Sequence, residues 1–268
     1  MYSRVQRNKA SVTGAATPSP AALSALMTRT EHFPQHKKGV LVIFDLDGTL
    51  TDSCRVDDFC FTESIAEVLG IRNIDCEWSR YSEATDILLL RDIVRRSLGR
   101  DPKEEEIRDV RVRFHRLLGQ RLSGRHSLCR PIRGARQMLT RLGEDSRLAA
   151  CVATGSWGEC AELKLRHAGL YCFRGLNATS SDAATKPAIM EIAEARAKRH
   201  YGVARFEKVV CVGDSVFDVR AARRRGHVFV GIGRGRRVAE LISAGAICVF
   251  EDYRNADHLL QILSSSAR

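Results

Sequence analysis

The feature that most constrains this chain is a short apolar run ending directly on two carboxylates. Residues 40–44 read Val-Leu-Val-Ile-Phe, and Asp45-Leu46-Asp47-Gly48-Thr49-Leu50-Thr51 follows without a break. An apolar run without alternation predicts a central parallel strand covered by helices on both faces, since side chains on either side must be buried. Similar runs recur at 148–153, 208–212 and 227–232, with a weaker one at 246–250. Helical patterns lie near 132–142, 157–168, 187–200, 216–225 and 236–244. Helix and strand in alternation predict an α/β fold built on a doubly wound, parallel, Rossmann-like sheet.

The stretch 55–129 breaks that alternation and reads as several helices. Ile107, Val110, Phe114, Leu117 and Leu118 repeat at helical spacing, as do Ile87, Leu90, Ile93, Val94 and Leu98. The expected organisation is an N-terminal extension at 1–38, an α/β core formed by 39–54 and 130–268, and an inserted helical cap domain at 55–129. The insertion leaves the sheet after its first strand and returns near Pro131, so it should overhang the carboxyl ends of the strands, where ligands bind in such sheets.

Four motifs carry chemistry. Asp45 and Asp47, two apart in extended backbone, share a face. Like charges that close predict either a bound divalent metal or one raised pKa, although Asp and Gly also collect in surface turns. Gly48 allows the sharp turn that follows. Thr154-Gly155-Ser156 ends the next core run where a helix begins, which suits either an anion site or an ordinary helix cap. Lys186-Pro187 opens another helix, and a cation there implies an anionic neighbour unless the lysine is merely on the surface. Asp214 and Asp218 follow the run 208–212 and lie one helical turn apart, completing an oxygen-rich site for a hard cation.

With these motifs in this order, the chain resembles the haloacid dehalogenase-like hydrolase superfamily, in the branch with a helical cap after the first strand, such as the phosphoglycolate phosphatase-like enzymes. The resemblance spans residues 39 to about 252. It implies Asp45 as nucleophile, Asp47 as general acid and base, Thr154 and Gly155 with Lys186 binding phosphate, and Asp45, Asp47, Asp214 and Asp218 around magnesium. It also implies a phosphate monoester hydrolysed through an aspartyl-phosphate. Dehalogenation is disfavoured, because the metal-free dehalogenases lack the second carboxylate supplied here by Asp47. Members with a cap element Tyr-x-x-x-Thr-Asp match Tyr81 to Asp86, which points to Thr85 and Asp86 as cap residues reaching substrate; a Thr-Asp pair at a helix start can equally be a cap.

Composition sets further expectations. The 268 residues carry a net charge of +11, but the arginines are scattered, and Arg223, Arg224 and Arg225 suit the end of a helix before Gly226. A nucleic-acid partner is therefore not expected, and the Arg-rich segment 234–237 reads as a solvated loop or as a contact to an anionic substrate. Nine cysteines without a C-x-x-C pair and the lack of a long apolar segment favour a reduced cytoplasmic protein without membrane association, and the resemblance implies that it acts on a small phosphorylated metabolite. Residues 1–38 read as an unstructured extension rather than a transit peptide, and Pro34 argues against a metal site at His32 and His36. The alternatives are a phosphomutase on the same fold and a non-catalytic basic binding scaffold.

Overall fold

The apolar run at the front of the core becomes strand β1 (Val40–Phe44), the third strand of a six-stranded sheet. The computed structural model describes residues 39–124, 128–170 and 175–264. The N-terminal extension with His32 and His36, and Cys172, lie outside the described residues. After β1 come a two-residue strand β2 (Thr51–Asp52) and helices α1 (Cys54–Leu69), α2 (Asp86–Leu98) and α3 (Glu104–Leu122). The alternating part then runs β3 (Arg130–Pro131), α4 (Ala135–Glu144), β4 (Leu148–Ala153), α5 (Gly158–His167), β5 (Asn177–Ala178), α6 (Lys186–Tyr201), β6 (Lys208–Gly213), α7 (Val216–Arg224), β7 (Val228–Ile232), α8 (Arg236–Ala244), β8 (Cys248–Phe250) and α9 (Ala256–Ser264).

The sheet order is β5-β4-β1-β6-β7-β8, and every pairing is parallel. Its strands are apolar on both sides because both faces are covered. Val42 and Phe44 join a core with Met138 and Leu142 of α4, Leu165 of α5 and Leu259 of α9. Leu41 and Ile43 face the other way, onto Ile189 and Ala193 of α6, Val219 and Ala222 of α7, and Leu241 of α8. Full burial of a Leu, Ile or Phe contributes roughly 1.5–3 kcal/mol, so the two layers together fix β1 in the middle of the sheet. Cys151 and Cys211 behave as small apolar residues within it.

Three features differ from the sequence reading. Helix α4 begins at Ala135 rather than near 132, because Pro131 and Ile132 are used elsewhere: β3 pairs antiparallel with β2, and the Ile132 amide donates to the Leu50 carbonyl at 2.9 Å. The chain therefore enters and leaves the helical stretch through one small ribbon. Strands β2, β3 and β5 have two residues each, too few to give an apolar pattern. Leu98, expected on the apolar face of α2, is exposed, since it is the last residue before the left-handed turn at Gly99.

Helices α1 to α3 enclose a core of their own, in which Phe61, Leu90, Ile93, Val94, Val110, Phe114 and Leu118 are buried. Trp157 and Cys160, from the start of α5, extend it into the α/β layer. Phe61 and Phe114 meet the Trp157 ring at centroid distances of 6.0 and 6.1 Å. Close to this seam the backbones nearly touch: a Cβ on Gly155 would lie 2.3 Å from the Ala84 carbonyl oxygen, and the Asp86 amide donates to the Gly155 carbonyl at 2.9 Å. Because the obstacle is backbone, Gly155→Ala should destabilise the protein by about 1–3 kcal/mol. Thermal unfolding checks this, and an unchanged Tm would contradict so close an approach.

Candidate active site

Strand register brings the motif residues together. Phe44 is level with Val152 of β4 and Val212 of β6, so Asp45, Thr154 and Asp214 emerge at the same carboxyl edge. The Asp45 amide donates to the Val212 carbonyl at 2.8 Å, and that of Thr154 to Ala178 at 3.0 Å. Gly48, at φ 73°, turns the chain away; a Cβ there would collide with the Asp214 carboxylate. Asp218 sits in the first turn of α7, where its carboxylate accepts from the Ser215 hydroxyl at 2.7 Å. Lys186 is the first residue of α6 and is buried.

The carboxylates of Asp45, Asp214 and Asp218 place oxygens within 4.8 Å of one another, all buried. Lys186 Nζ lies between two of them, 2.5 Å from Asp45 Oδ1 and 2.8 Å from Asp218 Oδ1. Asp214 is met by Arg237 Nη1, whose side chain is half-exposed at the start of α8. Burial lifts the Asp45 carboxyl to about 7 despite Lys186, with Asp218 and Asp47 adding to the rise. Burial likewise holds Asp214 well above its ordinary value, against Arg237. Lys186 is raised although burial opposes its charge, because Asp218 and Asp45 flank it. Three carboxylates around a single buried lysine leave negative charge uncompensated. The donor set is all oxygen, which fits a hard divalent cation such as magnesium.

Asp47, expected among the metal ligands, directs its carboxylate elsewhere. Its Oδ2 accepts from Lys164 Nζ at 2.6 Å and from the Ser156 hydroxyl at 2.9 Å, and its Oδ1 accepts from Ser53. Burial pushes Asp47 up, but Lys164 and the two hydroxyls outweigh it and hold the carboxyl below its ordinary value. Of the alternatives posed by the Asp45 and Asp47 pair, one raised pKa is present: separate lysines split the pair, and the raised member, Asp45, belongs to an acidic cluster with the donor set for a metal.

A cavity of about 430 Å³ opens over this edge. Asp45, Asp47, Thr154, Gly155, Ser156, Lys186, Asp214 and Asp218 line one side, while Asp57, Asp58, Phe61, Trp78 and Leu89 of the helical stretch line the other. Thr154 is buried, and its Oγ1 accepts from the Ser156 amide at 3.2 Å.

Asp86 lines the cavity and Thr85 directly precedes it, and each uses one oxygen to bond the α/β layer. The Thr85 hydroxyl donates to the Ala184 carbonyl at 2.7 Å, just before Lys186. Asp86 Oδ2 accepts from the Trp157 amide at 2.7 Å, so it serves the start of α5 rather than its own helix. Both side chains tie the helical stretch to the sheet edge, and neither caps its own helix, the alternative foreseen from sequence; Asp86 also lines the cavity. Conversely, sequence reading passed over Lys164 and Asp57, and took Arg237 only as part of the basic segment 234–237. Lys164 and Asp57 did leave a signal: each interrupts an apolar helical stripe, Lys164 beside Cys160 and Ala161, and Asp57 beside Cys60 and Phe61.

A family model for the haloacid dehalogenase-like hydrolases matches residues 42–232. No curated protein sequence matches the chain. Solved structures share the fold. A hydrolase from Pseudomonas syringae is 23% identical, with a TM-score of 0.65 over 84% of this chain and 100% of that one. A putative beta-phosphoglucomutase from Bacteroides vulgatus is 20% identical, with a TM-score of 0.66 over 85% and 92%. A predicted phosphoglycolate phosphatase from Haemophilus somnus 129pt is 17% identical, with a TM-score of 0.59 over 84% and 99%.

Two outcomes follow from the geometry. The folded state holds the Asp45 proton up to about 7 against 3.8 for the free side chain, so its contribution to stability is complete below about 4 and lost as pH rises through about 7. In metal-free protein Asp45→Asn should leave Tm near wild type at about pH 4 and raise it at about pH 8, at about 2–4 °C for each kcal/mol relieved. A Tm difference that does not grow with pH would contradict the crowding of charge. Thr85→Val and Asp86→Ala should each cost about 1–2 kcal/mol through a carbonyl or amide left without its partner. As anchors they should lower turnover evenly across substrates, and a change confined to one substrate would instead bear out the recognition role expected from sequence.

Proposed function

The chain belongs to the haloacid dehalogenase-like hydrolases, and from that premise we propose that it is a magnesium-dependent phosphatase that hydrolyses a small phosphate monoester through an aspartyl-phosphate on Asp45. The observation that carries this reading is the buried trio of Asp45, Asp214 and Asp218 around the single buried Lys186. A carboxylate nucleophile and a phosphate dianion repel each other, so such a site needs cations at the point of attack.

Lys186 supplies one of those charges and orients Asp45. Asp45, Asp214 and Asp218 would hold the divalent ion, which adds positive charge against the phosphate oxygens and keeps Asp45 ionised near neutral pH. Backbone amides and the Thr154 hydroxyl at the turn before α5 are suited to the remaining phosphate oxygens. Asp45 attacks phosphorus in line; the oxygen–phosphorus bond forms as the ester bond breaks, and the leaving oxygen takes a proton from Asp47. The negative charge of the incoming phosphate favours the protonated form of Asp47 at that stage. In the second step Asp47, as a carboxylate, removes a proton from water, which attacks the same phosphorus and releases inorganic phosphate and free Asp45.

The helical stretch 55–129 is proposed as the cap that selects the leaving group, because Phe61, Trp78, Asp58 and Leu89 line the far side of the cavity. A mutase returning the phosphoryl group to its substrate would use the same core residues, and the likeness to a named phosphoglucomutase keeps it as the second reading. Against the basic-scaffold reading, several of the arginines singled out from sequence already have partners: Arg225 pairs with Glu191 and Glu194, Arg223 bonds the Ala244 carbonyl, and the exposed Arg236 pairs with Glu240. Among the described residues no helix is long and apolar enough to cross a membrane.

The test is a panel of phosphate monoesters assayed for inorganic phosphate and for isomerised ester. Phosphate release should require magnesium, stop on chelation and be poorly supported by calcium, which readily takes extra oxygen ligands. Asp45→Asn should abolish turnover with the fold intact, and Asp214→Ala should abolish it or raise the metal requirement. Undiminished release by Asp45→Asn, or in excess chelator, would contradict the proposal; isomer without phosphate would favour the mutase.

A further inference from the structure

Lys164 is a fully buried cation that the core motifs do not account for. It stands on the inner face of α5, with no exposed side-chain surface. Its ammonium donates to three acceptors: Asp47 Oδ2 at 2.6 Å, Asp57 Oδ1 at 2.6 Å and the Ser156 hydroxyl at 2.7 Å. An ammonium has three protons, so the set is complete. Burying a lysine costs several kcal/mol unless its charge and protons are met, and a packed apolar side chain of similar length would fill the same space without that cost. Lys164 thus occupies an unfavourable position, and what it touches gives the reason. Each acceptor belongs to a different element: the turn after β1, the first turn of α1, and the loop joining β4 to α5.

We infer that Lys164 is a positioning residue that fixes the Asp47 carboxylate for proton transfer to the leaving group, with Asp57 as the anchor that fixes Lys164. The inference rests on the phosphatase reading and on Asp47 as its acid and base. The geometry supports it in two ways. Asp47 Oδ2 receives both Lys164 and Ser156, and Ser156 Oγ itself receives Lys164, so carboxylate, ammonium and hydroxyl form a closed triangle that locks the carboxylate. Oδ1 is held separately by Ser53, whose hydroxyl is 2.7 Å from Thr51 Oγ1. Rotation of Asp47 would break bonds on both oxygens. The anchor is equally specific: Asp57 lies in α1, so the helical stretch that lines the far side of the cavity reaches the proposed acid through one lysine. Proton transfer in the transition state depends steeply on this kind of alignment, and a well-placed acid contributes about 10²–10⁴-fold.

The test compares an alkyl phosphate, whose poor leaving group needs a proton, with 4-nitrophenyl phosphate, which needs little help. In Lys164→Met, kcat/KM on the alkyl ester should fall about tenfold to a hundredfold further than on the aryl ester. In an Asp47→Asn background the same substitution should cause no additional loss on the alkyl ester. Because Lys164→Met leaves two buried carboxylates without their cation, Asp57→Ala is measured alongside. It retains the Asp47–Lys164 pair and should shift the ratio in the same direction by about threefold. An equal loss on both esters in the folded variants, a shift favouring the alkyl ester, or a further loss on top of Asp47→Asn would overturn the inference. Failure of the phosphatase reading looks different, since wild type would then release phosphate from neither ester.

Discussion

Everything at the sheet edge depends on an imbalance of charge that the fold enforces. Asp45 and Asp214 are placed by backbone register at the ends of β1 and β6, and Asp218 by the first turn of α7, so none can move away without breaking strand or helix bonds. One lysine lies among them where water would otherwise screen them. The carboxyls of Asp45 and Asp214 are raised, first by burial and then by their acidic neighbours. A protein sustains such a cost where it gains a function, and a cation-seeking pocket beside a carboxylate is what phosphate-ester chemistry on Asp45 requires.

Two carboxylates only two residues apart acquire opposite characters because each is given its own lysine. Asp45 keeps company with other acids and rises; Asp47 is drawn away into a set of donors and falls. A divalent cation in the acidic cluster would return Asp45 to the ionised form that attack needs, while Asp47, held as a carboxylate by Lys164, suits the removal of a proton from water. The helical stretch takes part in this division through Asp57, and it is seated by Thr85 and Asp86, which bond to the loops ahead of α6 and α5. Its position over the cavity is therefore tied to the same loops that carry Thr154 and Lys186.

The parallel sheet was legible in the sequence because its strands are buried on both faces, which leaves unbroken apolar runs, such as 40–44, that are too short for a helix and end on turn residues. The edge at which Asp45, Thr154, Lys186 and Asp214 meet followed from where those runs stop. What remained hidden depends on contacts between distant segments. Nothing local distinguishes Thr85 bonding to Ala184 from Thr85 capping its own helix, since both place a hydroxyl at a helix start. The departure of Asp47 from the acidic cluster required Lys164, more than a hundred residues away along the chain. Lys164 and Asp57 were visible only as charges on apolar stripes, a pattern that on its own also fits a lysine whose head reaches solvent. Arg237 lay in a segment that read first as a solvated loop, and its neighbour Arg236 is indeed solvated while Arg237 reaches Asp214.

The central claim is that Asp45 itself carries the phosphoryl group. Borohydride reduces an acyl-phosphate to an alcohol, so rapid quenching during turnover of an active phosphate monoester, followed by borohydride treatment and peptide mass spectrometry, reads the site of transfer directly. Homoserine is expected in place of Asp45, and in no other acidic residue of the cavity, only when substrate and magnesium are both present. An unmodified Asp45 in actively turning-over protein, or the reduced residue at Asp47, Asp214 or Asp218 instead, would contradict the claim.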